Sequence, residues 1–217
     1  MGPARLFIFS ATMLASATVC AQSLDDDLRI YAVSVVNIVP FKRPFSGYGI
    51  YLGQNAIITA AHVVGHWSLY ENPIVRIDAH EIPGKIIKKG AFPDLDLALL
   101  VVGDESLPVS LRLRRNPLCK TPPEVGMNVI VVYPDRTVRS QIISTQEVAP
   151  QYRNEFNTLI AEEQGSGSGV FDPNKKCLLG IMSAALTRHG PQPENIRAGY
   201  FVPVSKIANF IPAHLRF

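Results

Sequence analysis

Several features that would classify a chain quickly are missing here. Beyond the first twenty or so positions there is no apolar run of about 18 residues, so the rest of the chain offers no candidate membrane-spanning helix. Neither sign of charge dominates: 21 Lys and Arg against 18 Asp and Glu leave a net +3, with the two signs interspersed. That balance gives no reason to expect nucleic acid or an anionic membrane surface as a partner. Sustained helical periodicity is absent except near Ser205 to Leu215, and there is no internal repeat or low-complexity tract. His66, His80, His189 and His214 have no cysteine or carboxylate at ligand spacing, so neither a metal nor another cofactor is expected. What remains is a chain of 217 residues, 47% hydrophobic, long enough for one large core or two small ones.

The first residues differ from the rest. Arg5 precedes an apolar stretch from Leu6 to about Val19, and small residues follow, which is the pattern of a secretory leader. Val19 and Ala21 satisfy the demand for small residues before the cleavage point, so cleavage is expected after Ala21, leaving Gln22 as the new terminus. The alternatives are a buried first strand and a lipid anchor at Cys20, where Val19 fits poorly. Of three cysteines, Cys20 leaves with the leader, and Cys119 and Cys177 remain as an even pair bound for an oxidising compartment. A disulfide between them is expected; two free buried thiols are the alternative.

Short apolar or alternating runs punctuated by turn residues fill the rest of the chain. Ile30 to Val39, Gly47 to Leu52, Ala56 to Thr59, Pro73 to Ile77, Lys85 to Ile87 and Leu97 to Val102 form one set. Met127 to Val132, Val138 to Ser144, Thr158 to Ala161, Val170 to Phe171, Leu178 to Ser183 and Tyr200 to Val204 form a second. With 17 prolines and 15 glycines between them, the runs point to an all-β sandwich or pair of barrels, closed by a short C-terminal helix. The basic, proline-containing segment Leu111 to Pro123 reads as the linker, which divides the chain into 1–21, 22–115 and 116–217.

Three segments carry chemistry. Thr59-Ala-Ala-His62 sets an imidazole at the end of an apolar strand, where it could act as general base. Asp96 stands directly before the apolar run Leu-Ala-Leu-Leu; a carboxylate entering a core needs a partner, and a buried imidazole is one. Asp94, two residues further from that run, reads as solvated. Gln164-Gly-Ser-Gly-Ser-Gly169 embeds serines among glycines, whose backbone can turn its N–H groups inward as an oxyanion hole requires. A flexible Gly/Ser turn is the plain alternative for that segment.

Taken together, Thr59-Ala-Ala-His62, Asp96-Leu-Ala-Leu-Leu and Ser166-Gly-Ser-Gly-Val-Phe resemble the three signature blocks of the chymotrypsin-like (trypsin-like) serine proteases, in the order His, Asp, Ser. The compact spacing is similar to bacterial secreted members such as glutamyl endopeptidases and Deg/HtrA protease domains. The resemblance implies two six-stranded antiparallel β-barrels packed side by side, the first carrying His62 and Asp96 and the second Ser166. It implies a serine endopeptidase with Ser166 as nucleophile, His62 as general base and then acid, and Asp96 orienting the imidazole. The backbone N–H groups of Gln164 and Ser166 would form the oxyanion hole. Gln164 stands where the family usually has glycine, and Gly165 where animal trypsins carry the aspartate of their activation switch. Ser168 is the rival nucleophile, but the family's spacing to the following strand, Val170 onward, favours Ser166.

The same resemblance sets Ser183, Ala184 and Ala185 along the substrate backbone and the floor of the P1 pocket near Ile160, so a preference for Arg or Lys is not supported; Glu162, Glu163, Arg188 and His189 bear on the same pocket. The expected partner is a protein or peptide substrate. The competing reading is a catalytically silent trypsin-like binding module, with an esterase on the same triad as a third.

Overall fold

The computed structural model describes residues 27–37, 45–65, 72–78, 80–92, 94–147, 150, 153, 155–160, 165–187 and 197–215. The expected leader, Cys20, Gln164 and the Glu162, Glu163, Arg188 and His189 side chains lie outside these residues. The first closed barrel comprises β1 (Ala32–Asn37), β2 (Phe45–Gly53), β3 (Ala56–Thr59), β4 (Ile74–Ile77), β5 (His80–Lys89) and β6 (Ala98–Val102). The second comprises β7 (Asn128–Val132), β8 (Thr137–Ile143), β9 (Asn157–Ile160), β10 (Gly169–Asp172), β11 (Cys177–Thr187) and β12 (Arg197–Pro203). Every pairing within both barrels is antiparallel, and the sheet order is β1-β2-β3-β6-β5-β4 in the first and β10-β11-β12-β9-β8-β7 in the second.

Period-two alternation explains how one strand serves two cores. On β3, Ile57 packs inside the first barrel with Val35, Val75 and Leu100, whereas Ala56 and Ile58 face the other way. They join Leu97, Leu99, Ile130, Phe171, Ile181 and Val202 in a core that spans both barrels and welds them together. Val129, Val131, Val170, Leu179 and Phe201 fill the second barrel. The β2–β3 turn follows from its residues: Gln54 and Asn55 both sit at positive φ, 49° and 63°, which is the two-residue turn whose twist matches a hairpin.

The structure departs from the sequence reading in length rather than in kind. The strand expected at Lys85 to Ile87 runs from His80 to Lys89, because its outward half is polar and a register slip between Ile86 and Lys88 breaks the alternation. The helix expected near Ser205 to Leu215 divides into α2 (Val204–Phe210) and a 3₁₀ turn at Ala213–Leu215. Pro212 is the cause: the residue before a proline is driven out of the helical region, and Ile211 lies at φ −70°, ψ 128°.

The expected linker segment is tethered. It begins within α1 (Val109–Arg112), buries Asn116, and lays Leu118 parallel to Leu178. Cys119 forms a disulfide with Cys177 at the start of β11, with 5.0 Å between Cα atoms. Closing a loop of 58 residues restricts the unfolded chain by about 4 kcal/mol. Replacing both cysteines with serine is therefore expected to lower the unfolding free energy by about 4 kcal/mol in guanidinium titrations. Chain 22–217, denatured without reductant, should show no titratable thiol.

Candidate active site

The site lies on the seam between barrels. His62 sits in a 3₁₀ turn, Ala61–Val64, which leaves β3 as soon as that strand has delivered Thr59. Ala60 and Ala61 are buried, and their small side chains let the turn press against the barrel. Lys89, at the end of β5, donates to the Gly65 carbonyl just after this turn. Burial pushes the Lys89 ammonium down, while the charge of Asp96 pulls it back up.

Asp96, immediately before the strand-forming residues of β6, is completely buried. Three donors reach its carboxylate. His62 Nδ1 stands 2.7 Å from Oδ2, the His62 backbone N–H donates to Oδ1 at 3.0 Å, and the Ser183 hydroxyl donates to Oδ2 at 2.5 Å. Burial pushes the Asp96 carboxyl up, but the bonds from His62 and Ser183, together with the field of His62, outweigh it and hold the group below the ordinary carboxylate range. Asp94, the rival acid, is exposed.

Ser166 arrives from the second barrel on the turn before β10. The turn reaches the first barrel closely enough for Tyr48 N–H on β2 to donate to the Ser166 carbonyl at 2.9 Å. Two glycines permit that approach. A Cβ on Gly167, which lies at φ +88°, would come within 1.8 Å of the Tyr48 carbonyl, and one on Gly165 within 2.3 Å of the Tyr133 ring. The Ser166 hydroxyl donates to the Ser183 carbonyl at 2.9 Å. Nothing among the described residues bonds His62 Nε2, and the imidazole remains 38% exposed. Ser168 is fully buried, its hydroxyl donating to the Gly165 carbonyl.

The sequence reading missed what Ser183 does. Expected along the substrate backbone, it is buried, and its side chain holds Asp96 while its carbonyl receives Ser166. The β11–β12 register explains this: Met182 faces Phe201 and Ala184 faces Tyr200, so Ser183 is the extra residue of a bulge. Nothing in the local pattern Gly-Ile-Met-Ser-Ala-Ala marks it, because the slip depends on β12. The other substrate-side candidates follow the sheet. Ala184 and Ala185 lie on β11, and Ile160, 41% exposed, ends β9 opposite Ala198 of β12.

No curated protein matches this sequence. Solved structures do. The active form of the Rv3671c protease from M. tuberculosis is 19% identical over 95% of this chain and 92% of that chain, with a TM-score of 0.65. The serine endoprotease from Yersinia pestis is 19% identical over 87% of this chain and 64% of that one, with a TM-score of 0.61. Mouse neuropsin, a serine protease, is 15% identical over 83% of this chain and 92% of that one, with a TM-score of 0.60. At such identities these likenesses establish the shared fold. Residues 47–181 also match the family model of the trypsin-like peptidase domain, a stretch that includes His62, Asp96 and Ser166 in order. With that match over more than half its length and two six-stranded antiparallel barrels around the seam, the chain belongs to the trypsin-like peptidases, the chymotrypsin-like serine protease family.

Proposed function

We propose that this protein is an exported serine endopeptidase that cleaves protein or peptide substrates through His62, Asp96, Ser166 and an acyl-enzyme intermediate. One observation carries the reading. A single hydrogen-bonded chain runs from His62 to Asp96, from Asp96 to the Ser183 hydroxyl, and from the Ser183 carbonyl to Ser166, crossing from one barrel to the other.

The chemistry follows from which atoms are engaged. With Nδ1–H donated to Asp96, Nε2 is left as the basic nitrogen and faces solvent. Rotation of Ser166 about χ1 exchanges the Ser183 carbonyl for Nε2. Oγ then attacks the scissile carbonyl carbon while its proton passes to Nε2, and Asp96 stabilises the charge that develops on the ring. The substrate oxygen becomes an oxyanion, for which the Ser166 N–H has no other partner among the described residues. The Gln164 N–H is assigned as the second donor. Collapse expels the amine with the proton from Nε2, and water repeats the sequence on the ester. Beyond Met182, whose N–H and carbonyl are bonded to Ser168 and Gly167, the edge of β11 away from β12 has no strand partner among the described residues, so it can accept an extended substrate as an added strand. We assign Ile160 to the pocket for the P1 side chain; it and Ala198 opposite it on β12 are aliphatic, which lends no support to an Arg or Lys preference. Export is supported by the Cys119–Cys177 disulfide and by the leader read at residues 1–21.

A second reading, a catalytically silent binding module, draws on one observation: the Ser166 hydroxyl rests on Ser183 rather than on His62. A fluorophosphonate probe separates the two. Chain 22–217 should be labelled irreversibly, and Ser166→Ala should abolish labelling; no reaction by the folded protein would favour the silent module. Asp96→Asn is expected to slow turnover of a peptide ester by about 10⁴, because an amide NH2 that donates to Nδ1 fixes the wrong imidazole tautomer and brings no charge to stabilise the protonated ring.

Because the Asp96 carboxyl is held low in the folded protein, its stabilising contribution is complete above the ordinary carboxylate value of about 3.9 and is lost as pH falls through the lower folded value. Ser183→Ala removes one of the donors responsible. It should cost about 1–3 kcal/mol at neutral pH and move the acid-unfolding midpoint, followed by far-ultraviolet circular dichroism, to higher pH.

A further inference from the structure

Gly165 has no side chain with which to hold this turn, and the Tyr133 ring leaves no room for one: a Cβ there would fall 2.3 Å from the ring. Something else must hold the turn. The peptide unit joining Gly165 to Ser166 carries the Gly165 carbonyl on one side and the Ser166 N–H on the other, and a trans peptide points these two groups in opposite directions. Fixing the carbonyl therefore fixes the aim of the N–H. Two donors fix it, both from one residue: Ser168 N–H at 3.0 Å and the Ser168 hydroxyl at 2.5 Å.

Ser168 is itself immobilised. It is fully buried, and its carbonyl accepts the Met182 N–H at 2.9 Å from β11. The next links are engaged as well. Gly167 N–H donates to the Met182 carbonyl at 2.8 Å, and the Ser166 carbonyl receives Tyr48 N–H. In a turn so fully bonded, the Ser166 N–H stands without a partner among the described residues.

We propose that Ser168 is a positioning residue for the oxyanion hole: its buried hydroxyl clamps the Gly165 carbonyl and so holds the Ser166 N–H toward the substrate oxygen, in place of the side chain that Gly165 lacks. This rests on Ser166 being the nucleophile. Ser168 touches no substrate atom; it acts through a peptide plane. Losing the hydroxyl leaves the Ser168 N–H as the single donor on the carbonyl, so the plane rocks, and the cost falls on the state in which the oxyanion exists.

The test compares chain 22–217 with Ser168→Ala and Ser168→Gly, neither of which adds an atom to the buried site. Three readouts are taken on each: the acylation rate with a fluorophosphonate, kcat and KM on a peptide ester, and the affinity for a peptide boronate, whose tetrahedral adduct fills the hole. Both variants should remain folded at the assay temperature, with a melting midpoint lowered by a few degrees at most, and keep KM within about twofold. Acylation, kcat and boronate affinity should fall together, by about 10- to 100-fold, toward the loss seen when a hole donor is removed outright. Wild-type acylation by both variants would overturn the clamp and leave the protease reading standing. A fall in KM-dependent binding equal to the fall in kcat, or one that tracks lost folded protein, would also overturn it. If the unsubstituted chain itself fails to react, the protease reading fails first and the clamp with it.

Discussion

The buried carboxylate of Asp96 is the constraint around which the seam is built. An ionised group removed from water costs several kcal/mol unless charge-assisted hydrogen bonds replace its hydration. Neither barrel does this alone. The first supplies the His62 ring and the His62 backbone N–H, and the second supplies the Ser183 hydroxyl. Any relative slip of the barrels would strip one oxygen of a donor, so the same bonds that keep Asp96 ionised also set how the barrels dock. The apolar contact between Ile58, Leu99, Ile181 and Val202 supplies area without register; the charged centre supplies register.

Ser183 is where both barrels' requirements meet. A regular strand would alternate side chains and keep its carbonyl within the ladder. The extra residue between Met182 and Ala184 frees both groups, directing the hydroxyl to Asp96 and the carbonyl to Ser166. The turn carrying Ser166 is held by a different device. Gly167 lets it lie against Tyr48, Gly165 lets it lie against Tyr133, and Ser168 ties it internally. Tyr133 is in turn set edge-on to Tyr48, with the Arg136 guanidinium over its ring, so the turn is backed by a rigid aromatic pair.

The segment after the first barrel shows how covalent and hydrogen-bonded links are combined away from the seam. Its basic and proline-containing composition suggests a loose connection, yet Leu118 and Leu178 are bridged in parallel and Cys119 is bonded to Cys177. A segment so pinned limits how far the second barrel can move from the first. It anchors β11 at the end opposite Ala184 and Ala185, where substrate is proposed to lie.

By itself the sequence determined the all-β class, the grouping of strands in two sets of six, and the three chemical segments. Those properties are written locally: alternation in Ala56 to Thr59 or Met127 to Val132, an acid before an apolar run, glycines around a serine. His62, Asp96 and Ser166 were legible because each stands at the edge of a strand whose neighbours announce it. The tertiary structure alone decided the rest. The slip at Ser183 exists only because β12 pairs on both sides of it, and the length of β5 depends on β4 and β6, which pair with residues whose own pattern is polar. The surroundings of Ser166 and Ser168 could not be told apart in the sequence; in the fold Ser166 is partly exposed and donates to the Ser183 carbonyl, whereas Ser168 is buried and donates to the Gly165 carbonyl. Side-chain direction in a glycine-rich turn is set by what the turn packs against, and here that is a carbonyl of the other barrel and the ring of Tyr133.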